Sequence, residues 1–163
     1  MELDHYDLDK LLLSAMKSEI ESKELYMKLS EKTENGLLKD KLKFLAGEEE
    51  KHRLFVEDLY KNHYPDEKIE MPHKSPVPLP GVDLDEDTQL SKLLKQAMEA
   101  ERVASDFYKA LADRFEKGSK IHNTLMYFAD MEIGHYKILE TEKQSMERYE
   151  ESDVYWPMTH VGP

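Results

Sequence analysis

The chain of 163 residues contains no cysteine. This absence excludes disulfide bonds, thiolate metal sites, iron–sulfur clusters and a cysteine nucleophile. A metal ion, if one is bound, must therefore be held by oxygen and nitrogen ligands.

The sequence also lacks long apolar runs and a charged-then-apolar leader, so we expect neither a transmembrane span nor a signal peptide. A cytoplasmic location is expected from this. Positive charge is scarce, since 23 basic residues face 35 acidic ones for a net charge of -12. That balance argues against nucleic acid or an anionic membrane surface as a partner. The length and the 39% hydrophobic content suit one domain over residues 1–163.

No two-residue alternation predicts a strand, whereas four stretches repeat an apolar residue every three or four positions, as amphipathic helices do. The sequence therefore predicts an all-α four-helix bundle built from two antiparallel hairpins. We place the first hairpin at about residues 8–62, a crossover at about 63–87, the second hairpin at about 88–145 and a C-terminal tail at about 146–163. We call the residues of each helix that are predicted to face the other helices its seam. The four seams are Leu8, Leu12, Ala15, Glu19, Ser22, Tyr26, Leu29; Leu38, Leu42, Leu45, Glu49, His52, Val56, Leu59; Leu90, Leu94, Ala97, Glu101, Ala104, Tyr108, Leu111, Phe115; and Ile121, Leu125, Phe128, Glu132, His135, Leu139.

The breaks between these stretches fit helix ends. Asn35-Gly36 and Gly118-Ser119 offer left-handed positions that close one helix before the next begins. Between the hairpins, five of the seven prolines fall in one segment, which predicts an extended connector long enough to cross the whole bundle. These prolines are Pro65, Pro72, Pro76, Pro78 and Pro80.

Two Glu-x-x-His units lie on the seams, Glu49 to His52 and Glu132 to His135. Residues three apart share one face of a helix, so the carboxylate and the imidazole can converge on one ion. The same spacing occurs at Glu2 to His5, before any periodic stretch, and at Glu70 to His73, which encloses Pro72 and cannot be helical.

The two halves resemble each other, which indicates an internal duplication of a helical hairpin. Glu19 followed by Tyr26 matches Glu101 followed by Tyr108 at an offset of 82 positions, and the Glu-x-x-His units match at 83. Aligned at their glutamates, the four seams place Glu19, Glu49, Glu101 and Glu132 in one layer, with His52 and His135 one turn away. Four buried carboxylates repel one another, and two divalent cations would balance their charge.

This six-residue pattern resembles the rubrerythrin-related branch of the ferritin-like superfamily. The resemblance implies a ferritin-like bundle around two iron ions, with Glu49 and Glu132 as bridging ligands, Glu19 and Glu101 as terminal ligands, and His52 and His135 as one ligand per metal. Rubrerythrins carry a four-cysteine rubredoxin domain that this chain lacks, so an external electron-donor protein is expected. They also tend to carry a further carboxylate one turn after the third-helix glutamate, where this chain has Ala104.

Several residues outside this six-residue pattern also have an interpretation. Tyr26 and Tyr108 are either core aromatics or partners of the ligand carboxylates, through hydrogen bonds or as electron relays. Gly47 and Gly134 stand inside predicted helices, and close helix approach would explain them. Tyr155, Trp156 and His160 in the tail are expected to pack on the bundle or on a partner subunit.

Three functions remain open. The first is an oxidoreductase that reduces hydrogen peroxide or O₂ at a di-iron centre, with manganese as the next metal and no separate catalytic residue. The second is a ferroxidase or iron-handling protein using the same ligands. The third is a helical interaction module whose buried carboxylates pair with lysines. A homodimer is expected for the oxidoreductase, whereas iron storage needs a large hollow shell.

Overall fold

The chain folds into four α-helices. The computed structural model describes residues 1–77, 79 and 88–155, with side chains as far as Arg148. The helices are α1 (Leu8–Lys32), α2 (Gly36–His63), α3 (Leu90–Ala112) and α4 (Lys120–Tyr155), and the described residues contain no strand. The predicted all-α bundle is confirmed.

Apolar side chains form two separate clusters, one toward each end of the bundle. The first cluster includes Leu11, Leu12, Val56, Leu111 and Leu125. The second includes Leu29, Leu38, Leu42, Leu94 and Leu139. Each fully buried leucine stabilises the fold by about 1.5–3 kcal/mol relative to an exposed one. The polar seam positions lie between the two clusters.

Helices α1 and α3 run antiparallel, because the end of α3 meets the start of the chain. Arg114, just after α3, donates hydrogen bonds to the backbone carbonyls of Leu3 and Tyr6, at 3.1 Å and 2.9 Å. Helix α2 ends at this same end, where Tyr60 and Tyr64 join the first cluster. Helix α3 begins at the opposite end, where Leu90 packs on the second cluster. The connector therefore joins opposite ends of the bundle, and one chain supplies all four helices.

The start of α2 differs from the sequence-based prediction. Asn35 and Gly36 do not form a left-handed C-cap: α1 closes at Thr33 in extended conformation, and the side-chain oxygen of Asn35 accepts hydrogen bonds from the backbone N–H groups of Leu37 and Leu38. Asn35 is thus the N-cap of α2, and Gly36 lies in its first turn. At the other turn the prediction of a left-handed residue is confirmed, since Gly118 has φ of 81°.

Two further expectations change. Close helix approach does not explain Gly47 and Gly134, because a Cβ built at either position meets nothing within 4 Å. Helix α4 also continues to Tyr155, about ten residues beyond the predicted boundary near 145. The side chain of Tyr155 and all of Trp156 and His160 lie outside the described residues, so the packing predicted for them stays a prediction.

Within the described part of the chain, none of the helices combines the length and the apolar character that crossing a membrane requires.

We expect Gly118→Ala to destabilise the protein by about 1 kcal/mol, because an L side chain is strained at this positive φ. The matched control is Gly36→Ala, which meets open space in the first turn of α2 and should be neutral or stabilising. Chemical denaturation of both variants measures the difference. Equal free energies of unfolding would contradict the role assigned to Gly118.

Candidate metal centre

Six ionisable side chains are buried between the two apolar clusters. Each helix contributes one glutamate, and α2 and α4 each add a histidine. The exposed fractions are 4% for Glu19, 1% for Glu49, 0% for His52, 3% for Glu101, 1% for Glu132 and 3% for His135. Isolated charges buried to this extent cost several kcal/mol each, so the negative charges of the glutamates must be neutralised by protons or by cations.

The side chains divide into two halves that share two members. His52, Glu19, Glu49 and Glu132 form one half, with ligand atoms all within 4.8 Å of one another. His135 replaces His52 and Glu101 replaces Glu19 in the other half, under the same limit. Either half could hold a metal ion, since carboxylate oxygens and an imidazole nitrogen converge in each.

Glu49 and Glu132 belong to both halves, because each presents one oxygen to each histidine. The Nδ1 atom of His52 lies 3.0 Å from Glu132 Oε1 and 3.5 Å from Glu49 Oε2. The Nδ1 atom of His135 lies 3.0 Å from Glu132 Oε2 and 3.2 Å from Glu49 Oε1. This arrangement suits two carboxylates that bridge a pair of ions.

The outer glutamates are each held by a tyrosine from the opposite hairpin. The hydroxyl of Tyr26 on α1 donates to Glu101 Oε1 on α3, and the hydroxyl of Tyr108 on α3 donates to Glu19 Oε1 on α1. Both tyrosines are 1% exposed. Of the two interpretations of these residues, hydrogen bonding to the candidate ligands is the one seen. Each hairpin thus supplies one tyrosine to a glutamate of the other hairpin, a symmetry that agrees with the internal duplication in the sequence.

Burial and mutual repulsion set the protonation of the metal-free cluster. Burial, together with the nearby Glu49 carboxylate, raises the pKa of Glu19 well above its usual value, and burial beside Glu132 does the same to Glu101. Burial lowers the pKa of His52, but contacts with Glu132, Glu19 and Glu49 outweigh it and raise that pKa to about 12. The pKa of His135 is raised for the same reason.

The pKa of Glu132 shifts in the opposite direction. Burial raises its pKa, but the two histidines on either side favour the charged carboxylate and bring the pKa down to about 2. Protons on the outer glutamates and on the histidines therefore supply the compensation when no cation does.

The hydrogen bonding of the cluster is incomplete without a ligand. Glu49 Oε1, both carboxylate oxygens of Glu132, both ring nitrogens of His52 and His135 Nδ1 are buried with no hydrogen-bond partner. The short contacts from Nδ1 to carboxylate oxygens are ion pairs when the histidine is protonated and are not hydrogen bonds. Buried polar atoms without partners are rare, and five of these six line the two halves, whereas His52 Nε2 lies across the ring from Nδ1. The donor set thus fits a pair of divalent cations.

The aromatic packing around the cluster was not assigned a role from the sequence. Phe128 packs against the ring of His52 with centroids 4.2 Å apart and the ring planes tilted by 32°, and Tyr108 meets the same ring edge-on at 6.1 Å. Phe128 lies on the α4 seam one turn before Glu132, which is the signal that could have identified it. Two other buried glutamates stay outside the cluster, because Glu48 pairs with Lys51 and Glu142 pairs with Lys41.

Comparison with known proteins agrees with this geometry. Residues 10–154 match the family model described as Rubrerythrin. The chain is also similar to a solved structure, a hypothetical protein from Pyrococcus furiosus, with 31% identity and a TM-score of 0.78 over 91% of this chain and 95% of that one. Among curated proteins there is no match.

The protonation pattern predicts how stability depends on pH. Because the pKa values of Glu19, Glu101, His52 and His135 are all raised, the folded metal-free protein binds more protons than the unfolded chain. Its stability should therefore fall as pH rises from about 5 to about 9, and divalent metal should reduce this loss by replacing the protons.

Thermal melting across that pH range, with and without metal, measures the effect. The double variant Glu19→Gln with Glu101→Gln removes two of the proton sites and should flatten the metal-free profile. A metal-free melting temperature that rises between about pH 5 and about pH 9 would contradict the assignment.

Proposed function

The chain belongs to the rubrerythrin family, and from that premise we propose that it is an oxidoreductase that reduces hydrogen peroxide or O₂ at a dinuclear iron centre. The observation that carries the proposal is the layer of four glutamates and two histidines, in which six buried oxygen and nitrogen atoms lack hydrogen-bond partners. Manganese is the alternative metal, because it accepts the same mixed carboxylate and imidazole ligands.

Each residue of the layer receives a role from its position. Glu49 and Glu132 would bridge the two ions, since each faces both halves. Glu19 and Glu101 would each bind one ion, as would His52 and His135, because each of these four residues belongs to one half only. When bound, a pair of iron ions supplies two-electron redox chemistry. The four negative charges of the carboxylates would then balance the four positive charges of two divalent cations, which keeps the bundle interior neutral.

The surrounding residues orient these ligands and exclude water. The hydroxyls of Tyr26 and Tyr108 fix one oxygen of each outer glutamate, so the other oxygen remains available inside the layer. Phe128 holds the plane of the His52 ring. The apolar clusters on both sides confine small polar molecules to the layer, where a small oxidant can be bound without competition from bulk solvent.

These 163 residues contain no cysteine for a rubredoxin-type site, so electrons would reach the layer from outside them, and the proposed source is an external donor protein. The acidic surface, with a net charge of -12, favours a donor with a basic docking face. Tyr26 and Tyr108, which contact the outer glutamates, are the proposed relays inside the bundle.

Iron oxidation and handling is the second candidate function. It is favoured by Ala104, which replaces the further carboxylate that rubrerythrins tend to carry one turn after the third-helix glutamate. The two candidates share all six ligands and differ in product and assembly. Release or storage of ferric iron in a large shell would support handling, whereas peroxide turnover by a small oligomer would support the oxidoreductase.

The helical interaction module is disfavoured by the ion pairs. Among the described residues, those found for the four glutamates of the layer involve His52 and His135 rather than lysine.

We expect protein purified without chelator to contain two metal ions per chain, and Glu49→Gln to lose at least one of them because Glu49 contributes to both halves. The matched control is Glu48→Gln, which alters a neighbouring buried glutamate that pairs with Lys51 instead. Elemental analysis measures the metal content. Equal metal content in the two variants would argue against the proposed ligand set.

We expect the reduced, iron-loaded protein to consume hydrogen peroxide, and Glu132→Gln to lower the rate at least about 10-fold because a shared ligand is lost. Glu142→Gln changes another buried glutamate of α4 and should keep the full rate. A peroxide assay with a chemical reductant gives the rates. No turnover by the loaded wild type, together with stoichiometric oxidation of added Fe²⁺, would favour iron handling.

A further inference from the structure

The two halves of the layer match closely at their ligand atoms. In each half the outer glutamate accepts a hydrogen bond from a tyrosine hydroxyl, and the histidine Nδ1 lies 3.0 Å from an oxygen of the shared Glu132. The distance from Nδ1 to the outer carboxylate is 3.8 Å between His52 and Glu19 and 3.7 Å between His135 and Glu101. On these contacts alone, the two halves would bind metal with similar affinity.

The other ring nitrogens of the two histidines differ. Nε2 of His52 is buried and has no hydrogen-bond partner within the described chain. Nε2 of His135 is not among the buried atoms that lack a partner, so either solvent or a protein group satisfies it. His52 is 0% exposed, whereas His135 is 3% exposed. The asymmetry therefore lies behind the ligand atoms, on the far side of the imidazole rings.

Phe128 is the residue that distinguishes the surroundings of His52. Its ring packs against the His52 ring with centroids 4.2 Å apart, and it is itself 8% exposed, so it reaches both the histidine and solvent. The internal duplication relates Phe128 to Leu45 at the same offset of 83 positions that relates the Glu-x-x-His units. The sequence thus places an aromatic residue before one unit and an aliphatic residue before the other.

A missing partner at Nε2 makes His52 the poorer ligand. A neutral histidine that binds a cation through Nδ1 carries its proton on Nε2. Such histidines almost always donate this N–H to a carboxylate, a carbonyl or water, and losing an outer partner typically lowers metal affinity about 10–100-fold. Since Nε2 of His52 has no acceptor, its half should bind metal less tightly than the half that contains His135.

We propose that the two halves bind metal with unequal affinity, and that the half containing His135 and Glu101 is filled first. Phe128 is the positioning residue that sets this order, because its ring keeps water away from Nε2 of His52. The inference rests on the proposed function only in requiring a metal pair in the layer, and it is independent of the reaction that the pair supports.

Calorimetric titration of the metal-free, full-length chain with Co²⁺ as the only metal tests the order. His52→Ala and His135→Ala make the same change in the two halves. His52→Ala should keep the first dissociation constant of the wild type, whereas His135→Ala should raise it at least about 10-fold, because the first ion must then use the weaker half. Comparing first binding steps removes the repulsion between two bound ions from the result. Circular dichroism checks that both variants are folded.

A second substitution tests the cause. Adding Phe128→Leu to His135→Ala introduces the side chain found at the equivalent position 45, and it should recover part of the lost affinity by opening Nε2 of His52 to water. A role of Phe128 in packing alone predicts no recovery, or a further loss.

The outcomes separate this inference from the proposed function. Equal losses in the two histidine variants, or a larger loss in His52→Ala, would overturn the order of filling. A double variant that binds no more tightly than His135→Ala would overturn the role of Phe128. A wild type that binds no Co²⁺ would overturn the metal centre itself.

Discussion

Four carboxylates that face one another in the interior of the bundle are the constraint on which the rest of the structure depends. Their repulsion must be cancelled by protons or by cations, because neither lysine nor arginine contacts them among the described residues. Cancelling it with protons leaves six buried polar atoms without hydrogen-bond partners. A pair of cations would supply partners for the carboxylate oxygens and for one ring nitrogen of each histidine, so the residues that destabilise the metal-free bundle are the same ones that are proposed to bind metal.

The apolar parts of the molecule are arranged around this layer. Separate clusters on either side fix the distance between the helices, and the tyrosines bind the two hairpins together at the level of the acids. Tyr26 and Tyr108 thus have two effects at once. They satisfy the outer glutamates, and they link α1 to α3, which otherwise meet through apolar contacts.

The seams and the layer could be predicted because periodicity and charge burial are local properties of the sequence. Each seam carries one glutamate within its apolar repeat, and a residue at a seam position faces inward together with the apolar residues before and after it. The features that were missed depend on neighbours distant in sequence. Leu11 and Phe107 are buried beyond the seams, where residues such as Val77 of the connector pack on the same cluster. The prediction for Gly36 was wrong because Asn35 can cap the following helix as readily as it can close the preceding one. The prediction for Gly47 and Gly134 was wrong because a sequence does not show what approaches a helix.

The crossover has a consequence for how the centre assembles. Each half takes three of its four members from one hairpin and the fourth from the other, so neither hairpin is sufficient and two identical hairpins could in principle form the same layer. The connector makes that encounter intramolecular. It replaces a bimolecular step with an effective local concentration set by its length, so the centre forms equally well in dilute solution. Its span is then the property that assembly of the centre requires, and buried side chains such as Val77 hold the connector against the first cluster.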